Sequence, residues 1–318
     1  MKTPSNRILK HNSAGEQLLN RIIGISRPVI AIDTIDALSA ALLTNYSSFF
    51  EANWISSLGV SSRLGFSDAY NLSPRDYIQL INDIKMISTK TLIVVDADNG
   101  GQSFKNTSYA FKLYSTLGVA AAFVENKKGV KFNSVDLHAK KFHTLEDKDI
   151  FAEKIKVAIS TQNTTLVGIR LEDGIVNHSD EEKAVKFSID SVAYFIEHSK
   201  PDFFLFHWNK ESPAIPQRFA KKYRDYIKKL NIKNPPYLVC IPTTYSKNIT
   251  NRKLYECGYN IIIYGNALLR VQTQAICEAL ENIKRNDSLK KLEEKMSPTK
   301  LILDLMEKRK ENSEQYKI

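Results

Sequence analysis

The stretch 165–207 reads TLVGIRLEDGIVNHSDEEKAVKFSIDSVAYFIEHSKPDFFLFH. It opens on one apolar run, TLVGIR (165–170), and closes on another, DFFLFH (202–207). Near-continuous apolar runs are the pattern of strands covered on both faces of a parallel sheet. Between them, 179–199 suits an amphipathic helix. Strand, helix and second strand make one βαβ unit. Both strands end on residues with chemical capacity, Arg170 and His207.

The alternation extends outward in both directions. Further β-rich runs are PVIAID (28–33), ANWIS (52–56), TLIVVD (91–96), VAAAFVE (119–125), PYLVCI (236–241) and YNIIIY (259–264). Helices are predicted over 73–86, 145–160 and 216–230, the first with Ser73 as N-cap and Pro74 at its first helical position. Eight strands alternating with helices predict a (β/α)8 TIM barrel rather than an open doubly wound sheet. No Pro/Gly/Ser-rich linker interrupts the array, so 1–318 reads as a single barrel domain. It carries an N-terminal helical segment, 1–27, and a charged C-terminal helical extension, 285–318. In that extension a helix is predicted over 301–310, with Ser297 capping and Pro298 first. Its apolar stripe (Leu301, Ile302, Leu305, Met306) needs the barrel or a neighbouring subunit to pack on.

Composition narrows the function classes. Hydrophobic residues are 43% and charged residues 25% of the chain, which excludes collagen, a disordered tail and a disulfide scaffold. Cys240, Cys257 and Cys277 lack CxxC spacing and read as reduced thiols with no metal or disulfide role. The polar N-terminus has no uninterrupted apolar core of a signal peptide, and no run approaches the roughly 20 residues of a membrane span. The expectation is a cytoplasmic protein without membrane contact. Lys+Arg 45 against Asp+Glu 35 give a formal +10, which allows nucleic acid, an anionic surface or an acidic small substrate. Basic residues cluster at 127–131, 221–233 and 308–310, yet no nucleic-acid motif is visible and the aromatics sit mostly inside apolar strands. A nucleic-acid-binding protein is therefore the competing class, and a small-molecule enzyme the expectation.

In barrel enzymes chemistry sits at the C-terminal ends of strands. Here those ends carry Ser56, Asp96, Glu125, Arg170 and His207. Asp96 and Asp98 are two residues apart and share a side if strand geometry continues. With Glu125 on the next strand they form an oxygen-rich set that repels itself unless a cation intervenes, and such a set suits Mg²⁺. Arg170 and Glu172 follow the same spacing, so Glu172 can hold Arg170, whose guanidinium suits a carboxylate or phosphate. His207, between Phe206 and Trp208, can donate to a substrate oxygen or act as acid or base. After Glu125 comes NKKGVKFNS (126–134), a basic loop with Lys127, Lys128, Lys131, Asn133 and Ser134. A mobile loop over a barrel mouth excludes water and completes a site.

At these residues the sequence resembles the phosphoenolpyruvate mutase/isocitrate lyase superfamily, and most closely its phosphoenolpyruvate mutase branch. The matching pieces are WISSLGVSSRLGFSDA (54–69), VVDADNGG (94–101), VENKKGVKFNS (124–134), GIRLED (168–173), FLFH (204–207), IPTTY (241–245) and GNALLR (265–270). The resemblance implies a barrel whose last helix is exchanged with a neighbouring subunit in a homodimer or homotetramer. It implies Mg²⁺ held by Asp96, Asp98 and Glu125, directly or through water, with Asp68 nearby. Ser56, Ser57 and Leu58 match the segment that binds the substrate carboxylate. Arg170 and His207 match residues that hold the pyruvoyl and phosphoryl parts. Lys131, Asn133 and Ser134 match a gating loop.

The implied reaction is reversible conversion of phosphoenolpyruvate to phosphonopyruvate, the entry to phosphonate biosynthesis. Alternatives are a phosphonopyruvate hydrolase, another 2-oxoacid enzyme of the superfamily, or a non-catalytic paralogue. The carbon–carbon lyases of the superfamily carry a cysteine in the loop. This chain has none between 1 and 239, which argues against that chemistry. Four departures stand out: Asn126 where the family usually has Asp, Ile55 where a small residue is common, the turn Asn99-Gly100-Gly101, and a first-strand segment AIDTIDALSA with Asp33, Thr34 and Asp36.

Overall fold

A computed structural model describes residues 3–5, 7–68, 72–88, 90–129, 133–134, 143–177 and 179–314, without the side chains of 308–314. The eight strands are β1 (Val29–Asp33), β2 (Ala52–Ile55), β3 (Leu92–Asp96), β4 (Ala121–Glu125), β5 (Leu166–Leu171), β6 (Phe203–Phe206), β7 (Tyr237–Cys240) and β8 (Tyr259–Tyr264). They pair in chain order into a closed barrel, with β1 returning to β8, and every pair is parallel. This is the expected TIM barrel.

Helices surround it. They are α1 (Ala14–Gly24), α2 (Ala37–Thr44), α3 (Ser57–Leu64), α4 (Asp76–Ile87), α5 (Phe104–Thr116), α6 (Lys148–Ser160), α7 (Asp173–Val176) and α8 (Glu181–His198). There follow α9 (Ala214–Lys229), α10 (Asn251–Glu256), α11 (Ala267–Asn286) and α12 (Thr299–Glu314). Among the described residues no helix is long and apolar enough to cross a membrane.

Several boundaries differ from the sequence reading, each for a local reason. Ser73 does not cap α4: its hydroxyl donates to Asp76 Oδ2 at 2.9 Å, and the helix starts at Asp76 beyond a turn. The helix expected from 145 starts at Lys148, because Leu145 pairs with Lys127 in an antiparallel bridge and Asp147 caps. The helix expected from 179 starts at Glu181, where Asp180 caps by accepting from the Lys183 N–H. α9 begins two residues before Pro216. α12 begins at Thr299, just past Pro298.

The strands sort their side chains by parity, as pleating requires. Val29, Ala31, Trp54, Val94, Phe123, Leu205, Val239 and Ile263 fill the barrel interior, together with Leu18, Leu19 and Ile22 of α1, which plugs one end. Residues of opposite parity, such as Ile30, Val95, Val124, Ile169 and Phe204, pack outward against the helices. Trp54 and Phe203 flank Phe123 at centroid distances of 6.0 and 5.6 Å. Gly168 makes room for that ring, since a Cβ there would lie 2.3 Å from Phe123 Cδ1.

The C-terminal helices are less enclosed. α11 has no buried residue, and Val271, Ile276 and Leu280 are 66%, 51% and 63% exposed. α12 folds back onto α2 and α4, where Leu305 is buried and Met306 packs beside it. Leu301 and Ile302, the rest of the expected stripe, remain exposed.

The N-terminal arm is pinned by one buried ion pair. Arg7 donates to Asp202 Oδ2 at 2.8 Å and to the Thr165 carbonyl at 2.6 Å. The same Asp202 oxygen accepts from the Val167 N–H at 2.9 Å, and Oδ1 accepts from the Ser5 hydroxyl at 2.7 Å. Asp202→Ala removes a fully buried carboxylate that holds Arg7, Ser5 and the Val167 N–H, and should cost about 3–5 kcal/mol, read from the urea midpoint. A change of less than about 1 kcal/mol would mean that the arm is a surface feature.

Candidate functional site

Parity also aims the polar strand ends. Asp96 follows Val94, Glu125 follows Phe123 and His207 follows Leu205, each two residues beyond an inward side chain. Arg170 stands two residues beyond Gly168, which faces Phe123. All four therefore point into the barrel at the same end. A cavity of about 60 Å³ opens there, lined by Ser56, Ser57, Leu58, Asp68, Asp96, Asn133, Ser134, Arg170 and His207, among others.

Arg170 is the hub. Its Nε donates to Glu172 Oε1 at 2.6 Å, its Nη1 to Asp96 Oδ2 at 2.7 Å and its Nη2 to Ser134 Oγ at 3.2 Å. Burial alone would lower the Arg170 pKa, but Glu172, Asp96 and Glu125 more than reverse this and hold it charged. Glu172 is wholly buried. Burial would raise its pKa, yet Arg170, His207 and Lys127 pull it well below the usual carboxylate range. It also accepts from the Ser134 hydroxyl and lies 2.8 Å from His207 Nδ1. Nδ1 also lies 3.1 Å from Arg170 Nη2, but its nearer contact is the ionised carboxylate, which only accepts, so Nδ1 carries the proton. Burial lowers the His207 pKa, the Arg170 charge adds to this, and Glu172 only partly offsets it. The ring is neutral at pH 7 and its Nε2 keeps a lone pair.

The metal candidates are arranged less simply. Asp96 meets Arg170, and Glu125 Oε2 lies 3.3 Å from Lys127 Nζ. Asp98 does not continue the strand. β3 ends at Asp96, and Asp98 has φ +49 in the following turn, so the two-residue spacing does not put both carboxylates on one side. Asp98 instead lines a neighbouring cavity of about 210 Å³, where the Tyr77 hydroxyl donates to it at 3.5 Å. Among the described residues, no three His, Cys, Asp or Glu side chains converge as a complete metal cage. The donor chemistry still fits Mg²⁺. The buried carboxylates of Asp96, Glu125 and Glu172 face two buried cations, Arg170 and Lys127, and Mg²⁺ commonly takes one or two carboxylates and keeps waters.

The substrate-side residues have clear local causes. Ser56 is the N-cap of α3, its Oγ accepting from the Gly59 N–H at 3.0 Å. The first turn of α3 thus presents backbone N–H groups and a positive helix end near the cavity. Asn133 donates to Asp68 Oδ2 at 2.6 Å, and both line the cavity. Ser134 is also reached by Lys127 at 3.1 Å. Lys131 lies outside the described residues.

The sequence reading gave no role to Asn266, which lines the cavity and accepts from the Ser56 hydroxyl at 3.0 Å. Its signal was the piece GNALLR at the end of β8. The unusual first-strand segment is explained too. Asp33 accepts from the Leu268 and Leu269 N–H groups at 2.8 and 3.0 Å and so caps α11, while Asp36 caps α2.

The family model described as Phosphoenolpyruvate phosphomutase matches residues 20–284. A phosphoenolpyruvate phosphomutase of Tetrahymena pyriformis is 25% identical over 274 residues, 85% of this chain and 84% of that protein. The structure of a phosphoenolpyruvate phosphomutase from Streptomyces platensis subsp. rosaceus superposes with a TM-score of 0.78 at 23% identity, covering 95% of this chain and 99% of that one. A phosphonopyruvate hydrolase, solved in complex with oxalate and Mg²⁺, superposes with a TM-score of 0.75 at 20% identity, covering 95% and 98%.

The lowered His207 pKa has a signed consequence. Below the ordinary value of 6.5 the unfolded chain takes up a proton that the folded chain does not. The associated stability is complete above 6.5 and is lost as pH falls through the lowered folded value. His207→Asn should therefore flatten the fall in Tm between about pH 6.5 and pH 5. Parallel profiles for variant and wild type would refute a neutral, Glu172-bound imidazole.

Proposed function

The chain belongs to the phosphoenolpyruvate phosphomutase family, and we propose that it interconverts phosphoenolpyruvate and phosphonopyruvate. The observation that carries the reading is the buried Arg170–Glu172–His207 cluster beside Asp96, with Asn133 and Ser134 lining the same cavity. A cation that stays charged, a histidine and an amide donor suit a transferring phosphoryl group. The first turn of α3, at Ser56, Ser57 and Leu58, suits the substrate carboxylate.

In the direction from phosphonopyruvate to phosphoenolpyruvate the P–C bond breaks, leaving its electron pair on the pyruvate enolate, and the enolate oxygen then takes phosphorus. Arg170 and Asn133 stabilise charge on the phosphoryl oxygens, and His207 keeps Glu172, and through it Arg170, in place for that group. Asp68 holds Asn133 in place. Lys131 belongs to the same loop and adds positive charge in this reading. The loop excludes water, which would otherwise intercept the group and give phosphate. Asp96 and Glu125, with Asp98 through water, would hold Mg²⁺, which polarises the pyruvoyl oxygens and offsets enolate charge.

Phosphorus NMR with Mg²⁺ and phosphonopyruvate tests the reading. Phosphoenolpyruvate as product supports it. Phosphate and pyruvate would replace it with the hydrolase, the activity named for the oxalate-bound structural neighbour. Asn133→Ala should reduce turnover by about 100-fold or more with an unchanged fold by circular dichroism. Wild-type turnover in that variant would remove the loop from the mechanism.

The exposed apolar face of α11 further supports a homo-oligomer in which a second copy covers it. Light scattering should give a mass of two or four chains. Val271→Glu with Leu280→Glu should shift it toward one. A monomeric wild type at tens of micromolar would refute this.

A further inference from the structure

Beside the Arg170 cluster lies a second buried polar set. Asn126 follows Glu125 at the end of β4 and is 3% exposed. Its main-chain N–H donates to the Arg170 carbonyl at 3.1 Å, and its own carbonyl accepts from the Glu146 N–H at 2.9 Å. Its side chain works in two directions. The amide oxygen accepts from the Glu172 N–H at 2.8 Å, and the NH₂ donates to Asp173 Oδ2 at 2.9 Å. Only one orientation of the amide satisfies an N–H on one side and a carboxylate on the other. The remaining Asp173 oxygen accepts from the Ser191 hydroxyl of α8 at 2.7 Å, and Asp173 is 1% exposed.

These bonds fix the main chain at Glu172, and the Glu172 carboxylate in turn contacts both Arg170 and His207. We propose that Asn126 is a positioning residue for the Arg170–His207 pair, and that the slot requires an amide because Asp173 occupies its far side. An Asp at 126 would still accept from the Glu172 N–H. Toward Asp173, however, it would present an acceptor to an acceptor, two carboxylate oxygens at hydrogen-bond distance inside the protein. The departure of Asn126 from the family's usual Asp is thus matched to Asp173 in this chain. The pairing should be exchangeable: with Asp at 126 and Asn at 173, one donor again faces one acceptor.

The test compares wild type, Asn126→Asp, Asp173→Asn and the double exchange. Nitrogen-15 NMR of the imidazoles reads the protonated His207 Nδ1 without any ligand, with His207→Asn assigning the signal. Turnover of phosphonopyruvate with Mg²⁺ is the second readout and rests on the functional reading above. Asn126→Asp should lose the Nδ1–H signal and lower kcat/KM by about tenfold or more, as misplaced substrate-holding groups do. Asp173→Asn should keep both, because amide 126 can still donate to the new side-chain oxygen. The double exchange should recover the signal, and kcat/KM to within about threefold of wild type.

Retention of signal and turnover in Asn126→Asp overturns the proposal, as does a double exchange no better than the single. A lowered Tm with unaltered signal and kcat marks a purely structural residue and also overturns it. If Asn126→Asp does not fold, the double exchange must fold and carry the signal; its failure refutes the matching. If wild type does not turn over phosphonopyruvate, the functional reading fails while the NMR comparison still decides the positioning.

Discussion

One buried guanidinium organises the mouth of this barrel. Arg170 binds Asp96 of β3 and Glu172 just after β5, and it meets Ser134 of the loop after β4. Removing such a charge from water is costly, and the cost is recovered only where several carboxylates and hydrogen bonds surround it. The neighbouring side chains follow from that demand. Glu172 must be ionised to serve Arg170, and an ionised Glu172 fixes the His207 proton on Nδ1. Lys127 balances Glu125. The cluster is therefore preformed, and an anionic group arriving there meets oriented donors instead of mobile ones.

The barrel makes this possible by parity. Interior residues such as Trp54, Phe123 and Leu205 fill the centre, and two steps further along the strands the same register carries Ser56, Glu125 and His207. Packing below and chemistry above belong to one alternating pattern. Gly168 shows how tightly the two are linked, because the space it leaves for Phe123 lies one side chain beneath Arg170.

The strands were legible because near-continuous apolar runs are rare outside parallel sheets, and all eight appear within two residues of where their composition put them. Helix starts were less legible. Ser73 looks like a cap, but Asp76 claims its hydroxyl, a competition visible only in three dimensions. The polar strand ends announced Asp96, Glu125, Arg170 and His207. For Asp98 the two-residue spacing was no guide, since it carries meaning only while the backbone stays extended. Asn266 was given no role and Asn126 stood out only as a departure, because an amide's role depends on which donor and acceptor flank it, here residues 46 or more positions away.

The cap that Asp33 places on α11 reaches beyond helix stability. Asn266 sits between that cap and the Ser56 hydroxyl at the cavity wall. From this pivot α11 runs 20 residues outward, about 30 Å of rigid rod. The helix is a long lever whose short arm ends on Ser56. The exposed apolar face of α11 and the cavity wall thus share one rigid element, joined at Asn266.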